Sequence, residues 1–201
     1  MIKNPYSNFK PQAGQSGPAV PAGNYVAKIL KAEQVEGFRP RLAIYVDVAE
    51  GEFAGAWMKR FNDDKNSGRY TPKYRGVYYV NLPSDDDRYP ASTQRNLERL
   101  ADALQRSNDG YTWDWDEGRL RGLLIGIRVR DEEYMMERDG EIVSGTTPRI
   151  FDVAGIQDVR QGLLPVGKPK AISDEKKARI LGSTGGANTA MTAVDDADLP
   201  F

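Results

Sequence analysis

The chain has 201 residues, of which 39% are hydrophobic and 28% charged, with a formal net charge of −1, no Cys and no His. This composition excludes disulfides, thiol and imidazole nucleophiles and the usual Cys/His zinc sites, and it gives no overall basic field, so a nucleic-acid site would have to be a local patch. No apolar run approaches the ~20 residues that span a bilayer, and we expect a cytoplasmic protein without metal or cofactor.

Both ends of the chain have the composition of arms. Residues 1–22 carry four prolines and two glycines, a density that predicts a flexible N-terminal arm. Residues 182–193 are rich in Gly, Ser, Thr, Asn and Ala, as flexible linkers are, and a short helix with Ser173 as N-cap is predicted before them, over 174–181. We therefore predict one domain over 23–167 and a flexible tail over 168–201 that ends in an acidic interaction tip.

Between the arms the hydrophobic pattern has a period of two, which predicts strands. Over 41–48 the apolar residues alternate with a second set formed by Arg41, Ala43, Tyr45 and Asp47. Near residue 129 the same alternation is expected to point Arg128 and Arg130 outward. The predicted strands are 24–34, 41–48, 57–61, 77–82, 120–130 and 141–153.

One helix interrupts the strands. Residues 90–108 begin with Pro90 and carry an apolar stripe at helical spacing, for which Ser92 is a natural N-cap; the stripe is Leu97, Leu100, Ala101 and Leu104. Strands with one inserted helix predict a mainly β fold, and an OB-fold-like small β-barrel is the first choice. A β-sandwich is the alternative, disfavoured by the long helix within the strand order.

The stretch 57–79 interleaves aromatic rings with six basic and two acidic residues, a local charge of about +4. Single-stranded nucleic acid is held by this combination, because cations contact phosphates and each stacked base contributes ~1–3 kcal/mol. We expect about half of these rings in the core, and Tyr70 and Tyr74 at the surface. The predicted DNA-binding residues are Trp57, Lys59, Arg60, Arg69, Tyr70, Lys73, Tyr74, Arg75, Tyr79, Arg128 and Arg130.

Trp113 and Trp115 alternate with Asp114 and Asp116. On a strand edge both indoles would share one face, where they either pack the core or stack on bases. The neighbouring acids would repel phosphate and favour packing.

The last seven residues combine three carboxylates with a terminal Leu-Pro-Phe. An exposed phenylalanine can enter an apolar pocket while the acids are attracted to basic surroundings, and a flexible linker lets such a peptide reach partners. This segment predicts a partner-binding site formed by Asp195, Asp196, Asp198, Leu199, Pro200 and Phe201.

These seven residues resemble the acidic tip of bacterial single-stranded DNA-binding proteins, which is several Asp followed by an aliphatic residue, Pro and a terminal Phe. The resemblance implies an OB-fold, binding of single strands without strong sequence preference, and recruitment of replication, recombination and repair proteins. The helical insertion and the pair Trp113/Trp115 depart from that family. Three segments, PAGNYVAKILKAEQ, RLAIYVDVAEGEFAG and RIFDVAGIQDVRQGLLP, resemble phage-encoded single-stranded DNA-binding proteins, which implies viral replication in the host cytoplasm.

The sequence thus predicts a non-enzymatic protein that binds and protects single-stranded DNA and has no catalytic residues. Two alternatives stay open. One is a metal-dependent nuclease or resolvase that uses Asp47, an acid in the middle of a strong strand, and a second acid. The other is a protein-binding adaptor of the replication machinery.

Overall fold

The structure is a computed structural model that describes residues 20–37, 39–68, 72–84, 88–138 and 141–183. Its strands are β1 (Gly23–Val35), β2 (Arg41–Val48), β3 (Val77–Asn81), β4 (Leu124–Arg138) and β5 (Glu141–Ala154). Its helices are α1 (Ala56–Asn66), α2 (Pro90–Ser107), α3 (Ile156–Arg160) and α4 (Asp174–Ser183), with a 3₁₀ helix at Glu117–Leu120. None of the helices in these ranges is both long and apolar enough to cross a membrane.

The five strands form one antiparallel sheet in the order β3-β2-β1-β4-β5, so the fold is mainly β, as predicted. The edge strands β3 and β5 come close to each other, but the sheet is not closed by hydrogen bonds between them in the described residues. This arrangement is consistent with an OB-like small barrel that remains open between its edges, or with a sandwich.

The core lies on one side of this sheet. The apolar set of β2 is buried, as the alternation predicts, and so are the inward residues of β4; they are Leu42, Ile44, Val46, Val48, Ile125, Ile127 and Val129. Two residues of the opposite face of β2 are also buried, because Ala43 is small among large neighbours and Asp47 lies under α1.

Helix α2 packs against β3, β4 and β5 and therefore lies across the gap between the two edges. The predicted helix is confirmed, with Leu97, Leu100 and Leu104 buried. Its predicted N-cap is wrong: the helix begins at Pro90 and Ser92 lies in its first turn. Proline suits a first helical position because the N–H that it lacks would have no partner there.

The predicted strand 57–61 is wrong, since these residues belong to α1. Trp57 and Phe61 are spaced for one face of a helix as well as for a strand, so the short pattern was ambiguous. The carboxylate of Asp47 favours the helix, because this carboxylate accepts hydrogen bonds from the backbone N–H groups of Trp57 (3.1 Å) and Met58 (3.0 Å) in the first turn of α1.

The described chain beyond β5 packs on the domain further than the predicted boundary at residue 167. Backbone hydrogen bonds join Lys170 to Asp131 (2.8 Å) and Glu133 (2.9 Å) on β4. The helix predicted over 174–181 is confirmed as α4, and the Ser173 hydroxyl accepts from the Lys176 N–H at 3.3 Å. At the other end Val20, inside the predicted arm, is fully buried in the core.

Candidate nucleic-acid interface

The outer face of β1, β2 and β3 carries rings and cations in register. Tyr45 of β2 lies between Lys31 on β1 and Val77 on β3, and Tyr79 of β3 lies opposite Ala43. Since alternate residues of a strand share a face, Arg41 lies on the same side as Tyr45 and Tyr79. We call this surface the basic-aromatic face and define it as Lys31, Arg41, Tyr45 and Tyr79.

Each ring of the basic-aromatic face has a cation over it. The guanidinium carbon of Arg41 lies 4.8 Å from the Tyr79 ring centre, and the Lys31 ammonium lies 5.6 Å from that of Tyr45. Tyr79 is 45% exposed and Tyr45 is half-buried. Such cation–π pairs hold the rings and the positive charges together on the same surface.

The acid Glu33 also lies on this face, and contacts within the protein partly neutralise its charge. It pairs with the Lys31 ammonium and accepts a hydrogen bond from the Tyr45 hydroxyl, and these contacts lower the pKa of Glu33. Burial, followed by the contact with Glu33, raises the pKa of Tyr45 to about 12. This phenol, like an ordinary tyrosine, is neutral at physiological pH and does not repel phosphate.

Tyr74 extends the aromatic surface towards α1. Its ring centre lies 6.2 Å from that of Tyr45 and 5.8 Å from that of Phe61. The Tyr74 hydroxyl donates to the Val46 carbonyl at 2.8 Å, and burial raises its pKa. The ring predicted to stand at the surface is therefore half-buried and fixed, while Lys73 and Arg75 on either side of it are exposed.

The three predicted residues of α1 lie in different environments. The Trp57 indole is only 6% exposed and belongs to the core, so it cannot stack on a base in this conformation. Lys59 is exposed and forms an i, i+4 pair with Asp63 at 3.0 Å, and Arg60 is half-buried. Among these three, Lys59 is thus the residue best placed to meet a ligand.

Arg128 and Arg130 alternate with the buried Ile127 and Val129, as predicted, but both side chains are half-buried and engaged within the protein. Arg128 donates to Asp152 (2.9 Å) and to the Pro165 carbonyl (3.2 Å), and Arg130 donates to Glu132 (2.6 Å). Both guanidinium groups lie over the Phe151 ring, at 4.9 and 4.6 Å. The chain after α3 folds over this side of β4 and covers both residues, which a strand pattern does not reveal.

Four of the predicted features lie outside the described residues. Two of them are Arg69 and Tyr70, in the connection between α1 and β3. The other two are the predicted tip over 195–201 and most of the predicted N-terminal arm. Their roles stay predictions.

The sequence reasoning missed Lys31, Arg41 and Tyr45. The signal was present in part, because Arg41 and Tyr45 belong to the non-apolar set of the best alternating strand. Lys31 could be added only from the strand register, which places it beside Tyr45.

Asp47, the acid of the nuclease alternative, has a structural role in this fold. Besides the two N–H groups of α1, it accepts from the Val48 N–H at 2.9 Å. Burial raises its pKa, although the three hydrogen bonds oppose the rise. Within the described ranges no group of three acidic residues is arranged to hold a metal ion.

The segment with Trp113 and Trp115 is a loop before the 3₁₀ helix and not a strand edge. Trp113 is buried in the core, whereas Trp115 is 60% exposed and packs on it with ring centres 4.7 Å apart. The two indoles therefore differ in role, which strand alternation would not allow.

Comparison with known proteins adds no relative: no family model matches the chain, and a search of curated proteins finds no match.

Proposed function

We propose that the protein binds single-stranded DNA without strong sequence preference and protects it during replication, recombination or repair. The observation that carries the proposal is the pairing of an exposed ring with a cation on one sheet face, Tyr79 with Arg41, beside the second pair of Tyr45 with Lys31. Flat rings stack on any unpaired base and cations contact any phosphate, so this combination suits binding that is independent of sequence.

The charge of this region supports the same reading. Four cations, namely Lys31, Arg41, Lys73 and Arg75, lie on or beside the face, against two acids, Glu33 and the buried Asp47, in a chain whose total charge is −1. In OB-folds the face of strands 2 and 3 commonly binds oligonucleotides, and the rings here lie on β2 and β3. The nuclease alternative has no comparable support, because the Asp47 oxygens are occupied by backbone N–H groups.

The proposal includes recruitment of partner proteins by the segment 195–201, in a phage replication context in the host cytoplasm. It rests on the resemblance of Asp195, Asp196, Asp198 and Leu199-Pro200-Phe201 to the bacterial acidic tip. A variant that lacks 195–201 is expected to keep or raise its DNA affinity, since fewer acids compete with phosphate for cations, and to lose partner capture. Weaker DNA binding by this variant would contradict that role.

The decisive experiment is a fluorescence anisotropy titration of labelled oligothymidine, with a duplex of equal length for comparison. We expect binding of the single strand that weakens as salt rises, weaker binding of the duplex, and loss of affinity in Arg41→Gln. Cleavage of the oligonucleotide on addition of Mg²⁺ would favour the nuclease instead. If neither DNA binds, the result favours the alternative of a protein-binding adaptor.

A further inference from the structure

The loop between α2 and β4 presents one exposed tryptophan. Of the three tryptophans in the chain, Trp57 and Trp113 are 6% and 7% exposed, whereas Trp115 is 60% exposed. One side of its indole packs on Trp113, which fixes the ring, and the rest faces solvent. An exposed, immobilised indole offers a large contact area at little cost in conformational entropy, which is why Trp is enriched where binding energy concentrates.

The backbone of Trp115 is strained to hold this position. Its φ is 69°, and in the described part of the chain it is the one residue other than glycine in the left-handed region. Glycine or asparagine would adopt this conformation at lower cost, and a smaller apolar residue could cover Trp113. The conformation is therefore an outlier that motivates a functional hypothesis for this side chain.

The charges around Trp115 indicate the kind of partner. Residues 111–121 contain three acids, Asp114, Asp116 and Glu117, against two bases, Arg119 and Arg121, and Arg119 is paired with Asp114. Asp116 is exposed and Glu117 is half-buried, and both lie next to the indole in sequence. Each also accepts one hydrogen bond within the chain, Asp116 Oδ1 from the Gly118 N–H (2.9 Å) and Glu117 Oε1 from the Gln34 amide (3.3 Å). The net negative charge around Trp115 repels phosphate and attracts cations.

We infer that Trp115, with Asp116 and Glu117, is a docking site for an arginine-bearing segment of a partner protein. A guanidinium stacks on the open side of the indole as a cation–π pair, and neighbouring basic side chains meet the two carboxylates. The site differs from the basic-aromatic face in charge and in residues, so one molecule has a cationic surface for nucleic acid and an anionic, indole-centred surface for protein. The inference does not depend on the proposed DNA binding.

The test is anisotropy of a fluorescein-labelled peptide of alternating Arg and Gly, titrated with the full chain. We expect binding by the wild type and by Trp115→Phe, and at least about tenfold weaker binding by Trp115→Ala and Trp115→Gly. Glycine relieves the backbone strain, so Trp115→Gly separates loss of the ring from loss of folding. Leu163→Ala, at a site that is 64% exposed elsewhere, is the matched control and should bind as the wild type does.

Two results would overturn the inference. If the wild type does not bind the peptide, or if Trp115→Gly binds it as tightly as the wild type, the indole is not the docking site. Each variant is also titrated with oligothymidine: a loss of DNA affinity in Trp115→Gly with unchanged peptide binding would make Trp115 a base-stacking residue instead. Unchanged oligothymidine binding together with lost peptide binding supports a protein partner.

Discussion

The guanidinium carbon of Arg41 lies 4.8 Å from the centre of the Tyr79 ring, across the neighbouring strands β2 and β3. The two residues are diagonal neighbours in the register, because Arg41 lies opposite Asn81 and Tyr79 lies opposite Ala43. Ala43 has too small a side chain to come between them. The pair thereby joins a ring that can stack with a charge that can contact phosphate, and it depends on the order of strands in the sheet.

Tyr79→Ala is expected to weaken binding of oligothymidine by roughly tenfold, because one base loses its stacking partner. The effect on stability should be small, since the ring is 45% exposed and contributes little buried area. Anisotropy of a labelled oligonucleotide measures the first quantity, and urea denaturation measures the second.

Tyr89→Ala is the matched control for that change. Tyr89 is also an exposed aromatic residue, at 68%, but it lies before α2 and not on the basic-aromatic face. If both variants lose affinity equally, or if Tyr79→Ala binds normally, stacking on Tyr79 is ruled out.

The double variant Lys73→Gln/Arg75→Gln tests the phosphate contacts that the proposed DNA binding requires beside Tyr74. Each phosphate contact on a single strand contributes about −0.7 to the slope of log K against log salt, so losing two should make the slope shallower by about 1.4. The measurement is the affinity for oligothymidine at four or more salt concentrations. Lys168→Gln/Arg179→Gln removes two exposed charges elsewhere and should leave the slope unchanged; an equal change in both variants would indicate a general charge effect.

The sequence was informative where a pattern is local and long. The alternation in β2 and the stripe of α2 were sufficient to predict their bounds within one or two residues, because each element has one buried face. The span 57–61 was too short to separate a period of two from a period of 3.6, and the deciding contact comes from Asp47, ten residues earlier.

The candidate site was predictable only in part, because its residues come from different strands and a local pattern does not show which of them become neighbours. Tyr79 was found from its place in a basic, aromatic stretch, but its neighbours Arg41 and Lys31 come from other strands, and their arrangement follows from the register. The covering of Arg128 was not predictable either, because it comes from the chain near Pro165, a contact between residues 37 positions apart.

Gly76→Ala is expected to destabilise the protein by about 1–3 kcal/mol through overpacking. A Cβ at this position would lie 2.3 Å from the Val46 carbonyl oxygen and 2.7 Å from the Trp57 ring, so backbone or core would have to move. Gly37→Ala is the control, because no residue that the structure describes lies within 4 Å of a Cβ placed there, and a change within about 0.5 kcal/mol is expected. Urea denaturation of the two variants measures the difference, and equal stabilities would show that the close packing at Gly76 is not required.

Asp47→Ala is expected to lower the free energy of unfolding by about 2 kcal/mol, because the N–H groups of Val48, Trp57 and Met58 lose their acceptor. Asp47→Asn keeps one acceptor oxygen without a charge and should cost less. Both are measured by urea denaturation at neutral pH. A loss in Asp47→Ala below about 0.5 kcal/mol would show that the carboxylate does not stabilise the start of α1.

The same carboxylate should make stability depend on pH. Burial raises the pKa of Asp47 in the folded protein, so the native state holds this proton more tightly than the unfolded chain does. The stabilisation that comes from this tighter proton binding is therefore complete below the ordinary pKa of Asp. It is lost as pH rises through the raised pKa of the folded protein. The free energy of unfolding of the wild type minus that of Asp47→Asn, which cannot titrate, should fall as pH rises above the ordinary pKa of Asp. A difference that rises with pH instead would mean that the three hydrogen bonds outweigh the cost of burying the charge.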